Sequence, residues 1–304
     1  MKETQIAGIA FTDDTDRTNT DPYIIANFGP EGSGKTRFPL TGPDVTAVVP
    51  LERKSYFTID KMARELGKHI LRPSEAAVDK LIVNPRKVDM LVADVESKNG
   101  KLGAEELNKR VQAVVKSYFR DHLHRVNDTI YALLDRADVR VVCVDTFGQY
   151  ASHVKFATYG YDDKLIRVAG KLVRSNQEMN QELIDVLNGF SRYGKYMVLC
   201  HKHKDEYEGS GDNSKATGKL TWEGFRYLGN HTNVIIEHEV NRKWDPNSKE
   251  ESRSGWHWRL NIKRCQRNPE LEGPAGVGVL VDEVITLAGL VQVVDPEADI
   301  ADLL

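Results

Sequence analysis

The chain has 304 residues, 40% of them hydrophobic and 29% charged, enough to bury a sizeable core without disulfide or metal staples. A net charge of -3 excludes a protein that coats nucleic acid by bulk charge, and no apolar run approaches the roughly 18 residues of a membrane helix. Cys143, Cys200 and Cys265 fit no zinc spacing and each sits in an apolar run, so buried free thiols and a cytoplasmic setting are expected, with no leader peptide and no membrane partner.

Residues 1–21 are polar, rich in Thr and Asp, and read as a flexible arm, although Ile6 to Phe11 could add an edge strand. The short apolar run Tyr23 to Phe28 reads as a buried strand. It leads into Gly29, Pro30, Glu31, Gly32, Ser33, Gly34, Lys35 and Thr36, which satisfy GxxxxGK[ST], with Arg37 opening a helix. Such a loop turns backbone N–H groups inward around phosphates, and the helix behind it adds orphan N–H groups at its positive end. Lys35 would then reach the β and γ phosphates of ATP, and the Thr36 hydroxyl would ligate Mg²⁺.

Thr41-Gly42-Pro43 reads as a turn and Val45 to Leu51 as a second buried strand, closed by Glu52. A carboxylate at that end of a parallel strand stands where open α/β sheets bind ligands. Residues 59–138 read as a largely helical elaboration, from Ile59 to His69, Ser74 to Val83 and Gly103 to Asp135, with an extra strand at Val88 to Val95. Arg140 to Asp145 (RVVCVD) is a hydrophobic run ending in an acid, the shape of a strand that presents Asp145 to the Mg²⁺ shell. Tyr150 to Asp163 reads as a loop, Leu165 to Arg192 as helix and Lys195 to Cys200 as a strand running into His201. Asp205 to Lys219 has the composition of a mobile loop. Asn233 to Val240 and Trp256 to Cys265 alternate as strands that could pair, and the acidic tail 291–304 is expected to fray.

This order of parts resembles the RecA-like P-loop ATPases, and within them the short bacteriophage-encoded proteins of single-strand annealing and recombination. The resemblance spans roughly Tyr23 to Leu290, and only the P-loop matches it by letters. It implies an α/β domain over residues 22–290, with a mostly parallel sheet flanked by helices, a helical insertion and a C-terminal β-hairpin. It further implies that the strand ending at His201 lies between the P-loop and Asp145 strands. Glu52 then activates water, because Thr146 follows Asp145 where a second acid could stand. His201 takes the place of the γ-phosphate sensor, a place more often held by an amide. Lys263, Arg264 and Arg267 resemble cations inserted from a neighbouring subunit, which makes a homo-oligomer expected. The segments near 150–163 and 205–219 take the place of loops that hold single-stranded DNA, and proteins of replication or recombination are expected partners.

Other readings stay open on the residues alone. Glu96 rivals Glu52 as a base, the His201 to Lys204 run reads equally as an exposed strand end, and Lys263, Arg264 and Arg267 as a solvated hairpin face. Trp222, Trp256 and Trp258 suit packing better than base stacking. The second mobile segment sets Lys215 and Lys219 against Asp205, Glu206, Glu208 and Asp212, which leaves open a nucleotide-dependent protein-interaction switch without DNA binding. A small-molecule kinase lacks an arginine in that lid-like segment.

Overall fold

Five successive buried residues in each of four strands leave no solvated face, the mark of a parallel sheet covered on both sides. A computed structural model describes residues 2–6, 9–13, 23–43, 45–161, 165–168, 171–174, 176–208, 215–223, 225, 227–242, 256–272, 279–281, 285–298 and 300–303. The N-terminal strands β1 (Lys2–Ile6) and β2 (Ile9–Asp13) pair with each other rather than with the central sheet. Next come β3 (Ile24–Phe28), α1 (Arg37–Leu40), β4 (Thr46–Pro50), α2 (Arg53–Leu66) and β5 (Ile70–Leu71). The insertion holds α3 (Glu75–Leu81), α4 (Pro85–Asn99) and α5 (Ala104–Leu134). After it follow β6 (Val141–Asp145), α6 (Phe147–Tyr159), β7 (Leu165–Val168), β8 (Lys171–Arg174), α7 (Gln177–Phe190) and β9 (Tyr196–Cys200). The last third contains β10 (His203–Glu208), β11 (Lys215–Trp222), α8 (Leu228–His231), β12 (Val234–Arg242), β13 (Trp256–Cys265), β14 (Val279–Val281) and α9 (Leu287–Val294).

Eight strands form the central sheet in the order β14-β13-β12-β3-β9-β6-β4-β5. From β12 to β5 every neighbour is parallel, and β13 is antiparallel to both β12 and β14. The fold is thus α/β, a mostly parallel sheet with helices on both faces, a helical insertion and a C-terminal hairpin. Strand β9 lies between β3 and β6, as the resemblance implied. Alternation along each strand divides the core. Ile24, Ala26, Phe28, Val142, Val144, Met197 and Leu199 meet α5, α6 and α7, whereas Ile25, Val141, Cys143, Val198 and Cys200 meet α1, α2 and α9. All three cysteines are buried free thiols, with Cys143 and Cys200 Sγ 3.7 Å apart across adjacent strands.

Several segments differ from the sequence reading, each for a local reason. Val88 to Val95 is helical within α4: Val88 is buried and Val92 and Val95 pack beside it at helical spacing, while Pro85 sits in the first turn where its missing N–H costs nothing. Helix α6 replaces most of the loop expected at 150–163, because Tyr150, Ala151, Val154 and Ala157 form one buried stripe. Residues 165–168 and 171–174 pair as an antiparallel ribbon rather than starting a helix. Asp205 to Lys219 contributes to a second ribbon, β10 with β11, whose register shifts between Asp205 and Tyr207; residues 209–214 of that segment lie outside the described residues. At the C-terminus Leu303 is 1% exposed and Asp295 pairs with Arg267, so this end packs instead of fraying.

Candidate functional site

The C-terminal ends of β3, β9, β6 and β4 deliver the loop Gly29 to Thr36, His201, Asp145 and Glu52 to one rim of the sheet. Gly29 (φ 151°) and Gly34 (φ 95°) hold backbone conformations that L side chains rarely adopt, and a Cβ on Gly29 would collide with the carbonyl oxygen of His238. Of the amides from Gly32 to Thr36, only that of Ser33 meets a protein acceptor among the described residues, the Pro30 oxygen at 3.3 Å. Lys35 Nζ folds back to donate to the oxygens of Gly29 and Pro30, each at 2.6 Å. Burial holds its pKa below the ordinary lysine range, partly offset by Asp145.

Thr36 Oγ1 donates to Asp145 Oδ2 at 2.8 Å, so the hydroxyl and the carboxylate expected to share a metal stand side by side. Asp145 is 2% exposed; burial raises its pKa, Thr36 lowers it and the nearby Glu52 raises it again. Glu52 is the N-cap residue of α2, where it receives a bond from Thr146 Oγ1 at 3.3 Å and an ion pair from Lys202 Nζ at 2.6 Å. Glu96 lies on α4 of the insertion.

His201 is fully buried against Phe147 and its Nδ1 lies 3.0 Å from the Glu223 carbonyl oxygen. The carbonyl can only accept, so Nδ1 carries the proton. Burial pulls the ring's pKa down to about 4, which leaves Nε2 a bare acceptor without a partner. Pro30 and Glu31 belong to the loop and Arg37 follows it as the first residue of α1, with Glu31 paired to Lys54.

The three hairpin cations fall elsewhere. Lys263 Nζ pairs with the buried Glu237 at 2.8 Å, and Arg264 Nη1 donates to Asn230 Oδ1 at 3.3 Å. Arg267 lies over the ring of Tyr23, 4.6 Å from its centroid, and 3.4 Å from Asp295. Since β13 runs antiparallel to β12 with Cys265 opposite Val234, Arg264 and Arg267 lie toward the rim opposite the P-loop, whereas Lys263 reaches Glu237, which is paired with Phe28 beside the P-loop.

Other residues at the site carried no sequence motif. Asn27 donates from Nδ2 to the Lys35 oxygen at 3.0 Å; His203 Nδ1 contacts the Gly29 oxygen at 3.0 Å; Trp258 Nε1 approaches the Gly32 oxygen at 3.5 Å. His238 is fully buried beside Phe38 with both ring nitrogens unpartnered, and burial together with Lys35 pulls its pKa down to about 3. A polar letter inside an otherwise apolar strand, Asn27 in IIANF, was an available signal; His238 stands between Glu237 and Glu239 and gave none.

No protein-family model matches the chain, and no curated protein matches it. Among solved structures, the KaiC-like protein PH0186 from the hyperthermophilic archaeon Pyrococcus horikoshii OT3 is similar at 12% identity, with 80% of each chain covered and a TM-score of 0.33. A superposition that loose says nothing about the chemistry of this site.

Proposed function

We propose that the chain binds and hydrolyses ATP with Mg²⁺ as a RecA-like P-loop ATPase, working as a homo-oligomer on single-stranded DNA in recombination or strand annealing. One observation carries the nucleotide half. Among the described residues, Asn27 Oδ1, Ser33 Oγ and both nitrogens of His238 beside the loop, and His201 Nε2 at the end of the neighbouring strand, are buried without partners, whereas buried polar atoms are ordinarily paired. Of these, Ser33 Oγ and one ring N–H of the neutral His238 can donate, and with the unspent amides and a desolvated lysine they fit a polyanion; Asn27 Oδ1 and His201 Nε2 can only accept, and so suit water or a hydroxyl beside it. The Thr36–Asp145 pair suits a hard dication that prefers oxygen ligands.

Bound Mg²⁺ would neutralise charge on the β and γ phosphate oxygens. Lys35 leaves the Gly29 and Pro30 oxygens to hold phosphate, and the amides of Gly32, Gly34 and Thr36 fix its position. Glu52, paired with Lys202, accepts a hydrogen bond from water and so orients it. His201 can accept as it stands; donating to a phosphate oxygen requires the other tautomer and loss of its bond to Glu223. Lys263 or Arg264 supplies charge to a neighbouring subunit's phosphates, and Arg267 does so only by leaving Tyr23 and Asp295.

A protein-docking switch is the second reading, favoured because described side chains of β10 and β11 balance Lys204 and Lys215 with Asp205 and Glu206. Phosphate release measured against protein concentration, with and without single-stranded oligonucleotide at stated salt, separates the two. Stimulation by DNA with steep concentration dependence supports the first; turnover indifferent to DNA supports the second; no nucleotide binding removes both.

A further inference from the structure

Outside the P-loop, two buried polar atoms lack partners among the described residues: His122 Nε2 and His153 Nδ1. The residues are 1% and 4% exposed, and their rings meet edge to face at 4.7 Å. His153 lines a cavity of about 430 Å³ between the helical insertion and the rim of the sheet. Its walls include Val83, Val88, Phe119 and Phe156, and its polar lining includes Glu52 and Asp89. Aromatic rings run from the interior to the mouth: Phe119 lies 4.8 Å from Phe156, and Phe156 lies 5.9 Å from Tyr161, which is 48% exposed. The backbone N–H of Tyr161 is held by Gln112 Oε1 at 2.6 Å, so this aromatic has a fixed root.

Charge is arranged in layers. Glu52 stands in the inner wall, paired with Lys202, and the exposed Asp89 stands at the edge; the one cation in the lining, Arg53, pairs with Asp79. An anion is therefore unwelcome within, while N–H donors on an apolar ring find acceptors. Outside, in the first turn of α4 between the lining residues Pro85 and Val88, Arg86 and Lys87 are exposed and have no ion-pair partner among the described residues. A flat heteroaromatic ring with exocyclic N–H groups, attached to an external phosphate, matches both layers.

We propose that this cavity takes the base of a nucleotide, stacked against Phe156 and Tyr161 and hydrogen-bonded to Asp89 and His153, with its phosphate held by Arg86 and Lys87. This is a second site, separate from the P-loop, and it gives the helical insertion a task. Contact with the Glu52 wall also places a bound base next to the water-orienting carboxylate. The base comes from a free nucleotide or from a single strand, and the strand source rests on the nucleic-acid half of the reading above.

The test is photocrosslinking of the full chain with one equivalent of ADP, which fills the P-loop and leaves no excess to compete at the cavity. The probes are a 4-thiothymidine oligonucleotide of about 20 residues, longer than one stacking platform needs, and 4-thiothymidine 5′-monophosphate. Adducts on Tyr161, Phe156 or His153 with the oligonucleotide alone support the strand; adducts there with both probes support a free nucleotide. Adducts confined to other segments, or none with either probe, overturn the proposal. Arg86→Glu with Lys87→Glu, two exposed positions, should lower those adducts about tenfold while a fluorescent ADP analogue binds unchanged. Undiminished adducts in that variant also overturn the proposal. Because ADP binding is read in the same samples, failure here and failure of the ATPase reading are distinct results.

Discussion

Where β3 and β12 begin, the Ile24 N–H donates to Asn233 Oδ1 at 2.7 Å, the Cys265 N–H donates to Glu272 Oε1 at 2.8 Å, and Arg267 spans Tyr23 and Asp295. At the rim where these strands end, Asn27 Oδ1, Ser33 Oγ, His201 Nε2 and both His238 nitrogens have no partner among the described residues. Each unpaired buried polar group costs about 1–3 kcal/mol. One rim therefore spends its polar groups on the fold; the other carries them at a cost, as preorganised sites do. Substitutions at the first rim should register in stability, and those at the second in binding and turnover.

The largest effect belongs to Lys35→Ala. Removing the ammonium should lower ATP turnover by about 10³-fold and abolish tight binding of a fluorescent ATP analogue, with no loss of melting temperature, since burial already disfavours that charge. A variant that melts early while binding normally would assign Lys35 to the other rim's role.

Glu52→Gln comes next. It keeps the shape of the side chain and loses the acceptor charge, so binding should persist while turnover falls about 10²-fold. The Lys202 partnership makes a control possible: Lys202→Met frees Glu52 from its ion pair and should leave turnover measurable. Normal hydrolysis by Glu52→Gln would transfer the role to another group on the rim.

Much of the geometry of this rim was legible because the loop motif fixes letters: glycine where φ is positive, lysine and a hydroxyl behind it, and an acid at the end of an apolar run. The neighbouring strands were legible because burial on both faces gives unbroken apolar stretches. What escaped was set by tertiary placement. Val88 to Val95 fits a short strand until Pro85 and the packing of α4 on α5 select the helix. Tyr150 to Ala157 looked like a loop because aromatics beside Gly148 hide a stripe that only α5 and α7 complete. His238 stands between Glu237 and Glu239, and its meaning depends on which loop β12 lies beneath.

Acid should expose the rims' difference through histidine. His201 and His238, at about 4 and 3, have folded pKa values below the unfolded value near 6.5. Below pH 6.5 the unfolded chain takes protons that the folded chain refuses. Stability is then full above about 6.5 and declines as pH falls toward the folded values, by about 1.4 kcal/mol per unit for each histidine. His122 and His153, also at about 4 and 3, add to the slope. Urea midpoints between pH 7 and 5 should therefore drop, and His238→Phe should flatten the decline while impairing nucleotide binding. An unchanged slope in that variant would mean that His238 is already charged in the fold.

The smallest effect tests the spent rim itself. Arg267 is three-quarters buried at its side chain and contacts Tyr23, whose hydroxyl burial pushes up to about 12, and Asp295. Removing it strands a partly buried carboxylate and uncovers a ring, which should cost about 1–2 kcal/mol. Arg267→Ala should accordingly lower the melting temperature by a few degrees and leave turnover per folded molecule unchanged at every protein concentration. A cation lent to a neighbouring subunit would give the reverse: normal melting, with turnover that no longer rises as molecules assemble. Lys263→Ala is the natural contrast, because its partner Glu237 lies opposite Phe28, one residue short of the P-loop. If both variants lose only stability, charge supplied between subunits must come from elsewhere in the chain, and the hairpin belongs wholly to the rim that holds the fold.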